Sequence, residues 1–246
     1  MSLWRLEVLR LVRTHRLWIV LGVFASFGVL GPLTARFLPE IVEAVGGGIE
    51  IAVPPPTPEL AMAQYLGNAL QIGILAVAFV AAAALAFDAK PEMAVYLRTR
   101  ATIPRILMPR YVINMGAAVA SFSIGTAIAF VGASLLIDTP DVGGTVTASV
   151  LVSVYLAFVV ALTGLVASLV RSVPGAALIA VGTLIALGII GLIPQADPWL
   201  PSNLVGSFDT LIGGGEFVYW RSLSTTVLLS MGSIVASSVL MGRREL

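Results

Sequence analysis

Few residues in this chain have side chains that could do chemistry, and their spacing narrows what that chemistry is. The one lysine, Lys90, follows Asp88-Ala89 and precedes proline, so no glycine-rich phosphate loop can be built around it. There is no cysteine, which removes thiol catalysis, disulfides and thiolate metal sites. The single histidine, His15, sits between Arg13 and Arg16 and makes a poor relay or ligand. No ionisable residue lies in the middle of any long apolar stretch, which argues against the buried proton sites of gradient-driven carriers and the acid–base sets of intramembrane hydrolases. The expectation is therefore no catalytic residues, no metal and no cofactor in this chain. What the apolar stretches do hold is a row of amides, Gln64, Asn68 and Gln71, spaced i, i+4, i+7 with Tyr65 beside it. Two readings of this row stand. It lines a substrate path, or it bonds a neighbouring helix at on the order of 0.6–2 kcal/mol per contact.

The elements that position these groups follow from composition. The 246 residues are 58% apolar and only 11% charged, against roughly a quarter charged in a soluble domain. Mean hydropathy is +1.01. Uncharged runs of about 20 residues match the hydrocarbon thickness of a bilayer when wound as helix. The sequence predicts an all-α integral membrane protein with six spans, at about 17–38, 62–87, 106–137, 146–170, 175–193 and 222–241. The third run is longer than a straight crossing needs, which places its Pro109-Arg110 end at the headgroups or tilts the helix. A turn at Asp138-Thr-Pro-Asp141 and a short link at Arg171-Ser-Val-Pro174 separate the spans that flank them.

Counting Lys and Arg by side sets the orientation. With both termini in the cytoplasm, twelve of the fourteen basic residues lie inside, Arg36 and Arg221 being the exceptions, and nine of the thirteen acidic residues lie outside. The expected location is the bacterial inner (plasma) membrane. The first apolar run is long enough to be retained as a signal anchor. Nothing basic and aromatic suggests nucleic acid.

Residues 1–16 read as an amphipathic helix on the cytoplasmic leaflet. Trp4, Val8, Leu11 and Val12 form one stripe and Arg5, Arg13 and Arg16 another, with lipid headgroups as partners. Trp220 and Arg221 anchor the last span at the other interface. The connector 88–105 reads as a short cytosolic helix of about 13 residues, roughly 20 Å long. Pro91 suits its first turn, Glu92 the positive end of its dipole, and Pro104 closes it. Such a helix, displaying Tyr96, Arg98 and Arg100, suits docking of a cytosolic partner. The outer loop 194–219 carries two proline breaks, a short apolar stretch and Gly213-Gly214-Gly215, and the tail 242–246 is basic.

This layout resembles the type-2 ABC exporter permease family over essentially the whole chain. Two loose motifs carry the resemblance: Glu92 followed by Pro104-Arg105 before span three, and the terminal Arg243-Arg244-Glu245-Leu246. Many relatives carry Gly-Thr shortly after the acidic residue, where this chain reads Met93-Ala94-Val95-Tyr96. The resemblance implies that the connector is a coupling helix seated in a separate ATPase, with Glu92, Tyr96, Arg98, Arg100, Pro104 and Arg105 at the contact. It implies two ATPase copies holding ATP and Mg, a second permease copy or close paralogue meeting near span five, and short helices in the outer loop. The expected function is export of an apolar or amphipathic substrate, such as a drug, lipid or lipid-linked molecule. The alternatives are a gradient-driven carrier or channel subunit and a non-transporting membrane anchor or sensor.

Overall fold

The computed structural model describes residues 3–45, 55–86, 99 and 101–243. The connector residues expected to form a coupling helix, including Glu92, Tyr96, Arg98 and Arg100, lie outside them, as does the end of the tail. The described residues form α1 (Leu3–Arg13), α2 (Arg16–Val45), α3 (Pro58–Leu85), α4 (Ile103–Leu136), α5 (Val142–Leu169), α6 (Val173–Ile190), α7 (Asn203–Ile212) and α8 (Trp220–Arg243). One 3-10 turn, Asp197–Trp199, precedes α7. Six of the helices, all but α1 and α7, are long and apolar enough to cross a membrane.

Local chemistry explains most boundaries. Thr57, Asp141 and Ser172 cap α3, α5 and α6, each side chain accepting a backbone N–H in the first turn. The corner between α1 and α2 is His15, the one non-glycine residue among those described with positive φ (58°). Histidine tolerates that conformation better than branched residues do, and here it lets the chain turn from one helix into the next.

Several boundaries differ from the sequence expectation. Helix α2 runs on to Val45 through Pro32 and Pro39, so Glu40 sits on a helix, where it pairs with Arg36 at 3.7 Å, rather than in a loop. Helix α4 begins at Ile103 with Pro104 in its first turn. Proline there lacks only an N–H that would be unbonded anyway, so Pro104 opens this helix where the sequence reading had it close the preceding one. Within the expected span 106–137, helix α4 continues unbroken past Pro109.

Helices α3 and α5 form the centre of the bundle. On one side α2 and α4 pack against α3, and Tyr65 shows how closely: a Cβ on Gly31 would lie 2.8 Å from the Tyr65 Cα. On the other, α6, α7 and α8 pack against α5. One end of the bundle carries α1, the C-terminal ends of α3, α5 and α8, and the N-terminal end of α4. We call it the terminal face. The far face carries the 3-10 turn and α7, whose Leu204, Phe208, Leu211 and Ile212 are buried against the bundle.

Candidate functional site

Three regions hold the polar groups of the described residues. The first is the amide row on α3. Gln64 is half-buried, while Asn68 and Gln71 are exposed on the outside of the single chain. The Asn68 amide donates to the Gln64 carbonyl at 2.9 Å, one turn back along the same helix. At about 1.5 Å per residue, Asn68 and Gln71 lie about 15 and 20 Å along a helix about 42 Å long, close to its middle. Exposed Gly67 lies on the same side. The row therefore faces outward at the depth where a bilayer offers no hydrogen-bond partner.

Tyr65 does not belong with this row, a correction to the four-residue reading. It is fully buried, and its hydroxyl lies 3.2 Å from both the Phe122 carbonyl and Thr126 Oγ1. The Thr126 hydroxyl itself donates to the Phe122 carbonyl at 3.0 Å. The Tyr65 ring packs between Phe122 and Phe208, with centroids at 6.2 and 6.5 Å. One helical step turns a side chain by about 100°, which carries Tyr65 from the amide face into the core.

The second region is an ionic cap on the terminal face. Arg110, the residue after Pro109, is only 5% exposed. Its Nε donates to Glu7 Oε1 at 2.9 Å and a terminal nitrogen donates to the Ala84 carbonyl at 2.8 Å. Arg10 lies 3.5 Å from the same Glu7 oxygen and donates to the Ala83 carbonyl at 2.8 Å. Asn114 donates to the Arg110 carbonyl at 2.7 Å, while its own side-chain oxygen is buried with no protein partner among the described residues. The sequence reading counts Arg10 and Arg110 only as charges on the cytoplasmic side, with Arg110 at the headgroups or on a tilted helix. The structure supplies their partners: each guanidinium meets the Glu7 carboxylate and a carbonyl at the end of α3. A lone Glu7 in an otherwise basic helix, three residues before Arg10, was the available signal.

The remaining expected anchors are dispersed. Trp4, Arg5 and Arg13 are exposed on α1 and Arg16 is half-buried, whereas Leu11, assigned to the same stripe as Trp4, is buried against the bundle. On the far face the Arg221 guanidinium stacks 5.4 Å above the Trp199 ring, and exposed Trp220 packs edge-on to Phe217 at 4.9 Å. Pro104 and Arg105 are exposed at the start of α4.

The third region comprises two hollows. One of about 350 Å³ lies on the far face between the start of α3 and α7, where Glu59 and Asp209 contribute carboxylates. Partial burial pushes the Asp209 carboxyl above its usual range. The other, of about 780 Å³, is a groove between α4 and α5 lined by apolar side chains and by Ser123, Thr126, Thr145, Ser149 and Ser153. The hydroxyls of Thr145, Ser149 and Ser153 donate to carbonyls of their own helix, so the groove offers apolar contact and oxygen lone pairs.

No family model matches the chain. It is 24% identical over 213 residues to the uncharacterized transmembrane protein YxlG of Bacillus subtilis, covering 83% of this chain and 82% of that protein. This chain is a multi-pass membrane protein. Its six apolar helices and its likeness to a transmembrane protein over most of both lengths agree on that.

Proposed function

We propose that the chain is the permease subunit of an ABC exporter, working as a pair of copies with two copies of a separate ATPase. The observation that carries this reading is the exposed amide row on α3. Asn68 and Gln71 point away from the single chain near mid-helix, where, beyond the Asn68 bond to the Gln64 carbonyl, lipid offers their amides no partner. A second copy facing the row removes that cost and creates a path between copies with polar groups on apolar walls. Such a path suits apolar or amphipathic cargo better than small ions.

In this reading both termini and the terminal face are cytoplasmic, in the inner membrane of a bacterium. The charge asymmetry of the sequence supports that orientation. The connector after Ala86 meets the ATPase, which supplies ATP and Mg. Nucleotide-driven closure then switches the pair between inward- and outward-open forms.

The test is purification of the tagged chain from its native membrane into nanodiscs, with co-purifying proteins identified and ATP turnover assayed. A stoichiometric P-loop protein with vanadate-sensitive turnover is expected. Recovery of a stable oligomer without any ATPase would overturn the reading and favour a channel, a carrier or a membrane anchor.

A further inference from the structure

Helix α3 ends at Leu85, and its last carbonyls need partners. The Ala82 carbonyl is taken by the Ala86 N–H at 2.8 Å, while for those of Ala83 and Ala84 no backbone donor is found among the described residues. Arginines from two other segments fill those places: Arg10 from α1 bonds Ala83 and Arg110 from α4 bonds Ala84. Positive groups at this end also meet the negative end of the helix dipole. Glu7 ties the two arginines together through one oxygen. Three segments far apart in sequence thus converge on one carboxylate.

We propose that Glu7 and Arg110 are positioning residues that join α1, the end of α3 and the start of α4 into one rigid cap. The chain leaves that cap at Ala86, one residue beyond the end of α3, and enters the connector. A displacement delivered through the connector therefore moves α1 and α4 together instead of bending the end of α3. The rigid cap follows from the contacts alone. Its role in transmission rests on the permease reading above.

The geometry distinguishes this cap from a helix merely resting on a lipid surface. Apart from the buried Leu11, the exposed face of α1 is apolar and basic, with Trp4, Val8 and Val12 outward. Beside buried Leu11 and the Arg10 bond to Ala83, the Glu7 carboxylate fixes α1 to the bundle. Removing it takes the Glu7 ion pair from buried Arg110 and from Arg10 at once.

Because the chain contains no cysteine, labels can be placed at will. Val8→Cys and Val112→Cys, on the exposed faces of α1 and α4, would carry a spin-label pair that reads α1 docking in nanodiscs. A single narrow distance distribution is expected for the otherwise native chain. In Glu7→Ala the undocked population should rise about tenfold or more. Glu7→Gln, which keeps an oxygen for the Arg110 Nε–H, should restore most of the narrow distribution, and it keeps the test decisive if Glu7→Ala does not fold. A distribution unchanged in both variants would overturn the cap.

Transmission is read with a second pair, Val8→Cys and Val239→Cys, in the complex with the co-purified ATPase. Trapping with ADP and vanadate should shift this distance in the native background and fail to shift it in Glu7→Ala, while ATPase binding persists. An equal shift in both would overturn the transmission role. Absence of any ATPase from the native preparation would instead sink the permease reading, and the first label pair would still decide the cap.

Discussion

The Tyr111 hydroxyl lies 2.7 Å from Ser237 Oγ, deep in the bundle, directly over Gly164. Ser237 donates its own proton to the Ile234 carbonyl at 2.8 Å, so the tyrosine is the donor in the shared contact. One side chain from α4 thereby reaches across α5 to α8. It can do so only because position 164 has no side chain: a Cβ there would overlap the Tyr111 hydroxyl. The sequence shows a glycine in an apolar helix and a tyrosine near a helix start. The contact between them depends on how three helices are arranged in space.

Gly164→Ala should therefore destabilise the bundle by about 1–3 kcal/mol, the usual cost of forcing a methyl group into a filled core. Tyr111→Phe should cost about 0.6–2 kcal/mol, the range for one interhelical hydrogen bond in a membrane protein. The double variant should lose somewhat less than the sum, since removing the hydroxyl relieves the closest overlap while the ring carbons at 2.5 and 2.6 Å still crowd the methyl. Reversible unfolding in mixed micelles measures all three. Strict additivity would show that the two sites do not share this contact.

The ionic cap gives a second prediction. Arg110→Ala should cost up to about 3–5 kcal/mol, because largely buried Glu7 would lose the closer of its two arginines and keep only Arg10 at 3.5 Å. Arg110→Lys should fall between that variant and the native chain. An ammonium keeps the charge but cannot present the guanidinium fork to both Glu7 and the Ala84 carbonyl. The same unfolding assay reads the order. A lysine variant as stable as the native chain would show that charge alone suffices.

These two sites mark the limit of what the sequence discloses. The six apolar helices are legible because about 20 residues of hydrocarbon-compatible side chains have no other economical fate. The caps are less so: Thr57, Asp141 and Ser172 are of residue types that open helices, yet in the sequence Asp141 and Ser172 stand out only as parts of a turn and a link. The amide row is visible at its i, i+4, i+7 spacing, but spacing does not say whether the row faces in or out. Tyr65 looks like part of that row until packing turns it into the core. Arg110 looks like one more positive-inside charge, because hydropathy counts charges without their partners, and its partner Glu7 lies 103 positions earlier. Position along the chain gives depth in the membrane; it does not give rotation about the helix axis.

Asp209 gives a pH prediction. Burial raises its carboxyl above the ordinary value of 3.8, so the folded protein holds that proton more tightly than the unfolded chain does. The ionised form thus carries a stability penalty, fully present above the folded pKa and removed as pH falls through it towards the unfolded value. Asp209→Asn, which cannot ionise, should raise the melting temperature at pH 7. That gain should shrink on acidification and vanish below about pH 3.8, where the carboxyl is neutral in both states. A gain independent of pH would assign the effect to packing rather than to charge.

The amide row on α3 makes the last prediction, since its outward direction requires something other than lipid opposite Asn68 and Gln71. If that is a second copy, Gln71→Cys should give a disulfide-linked dimer under mild oxidation in the membrane, with no background from a chain that has no cysteine of its own. Val131→Cys, 54% exposed on α4, is the control and should not cross-link. Asn68→Leu with Gln71→Leu should weaken the dimer, each lost contact contributing about 0.6–2 kcal/mol, while leaving the fold of the single chain intact. The fold should survive because neither side chain is buried within it. Cross-linking equally from both positions, or from neither, would mean that the row does not meet its own copy. The polar path between copies would then lose its footing, because no other face of the described spans sets amides side by side at mid-membrane depth.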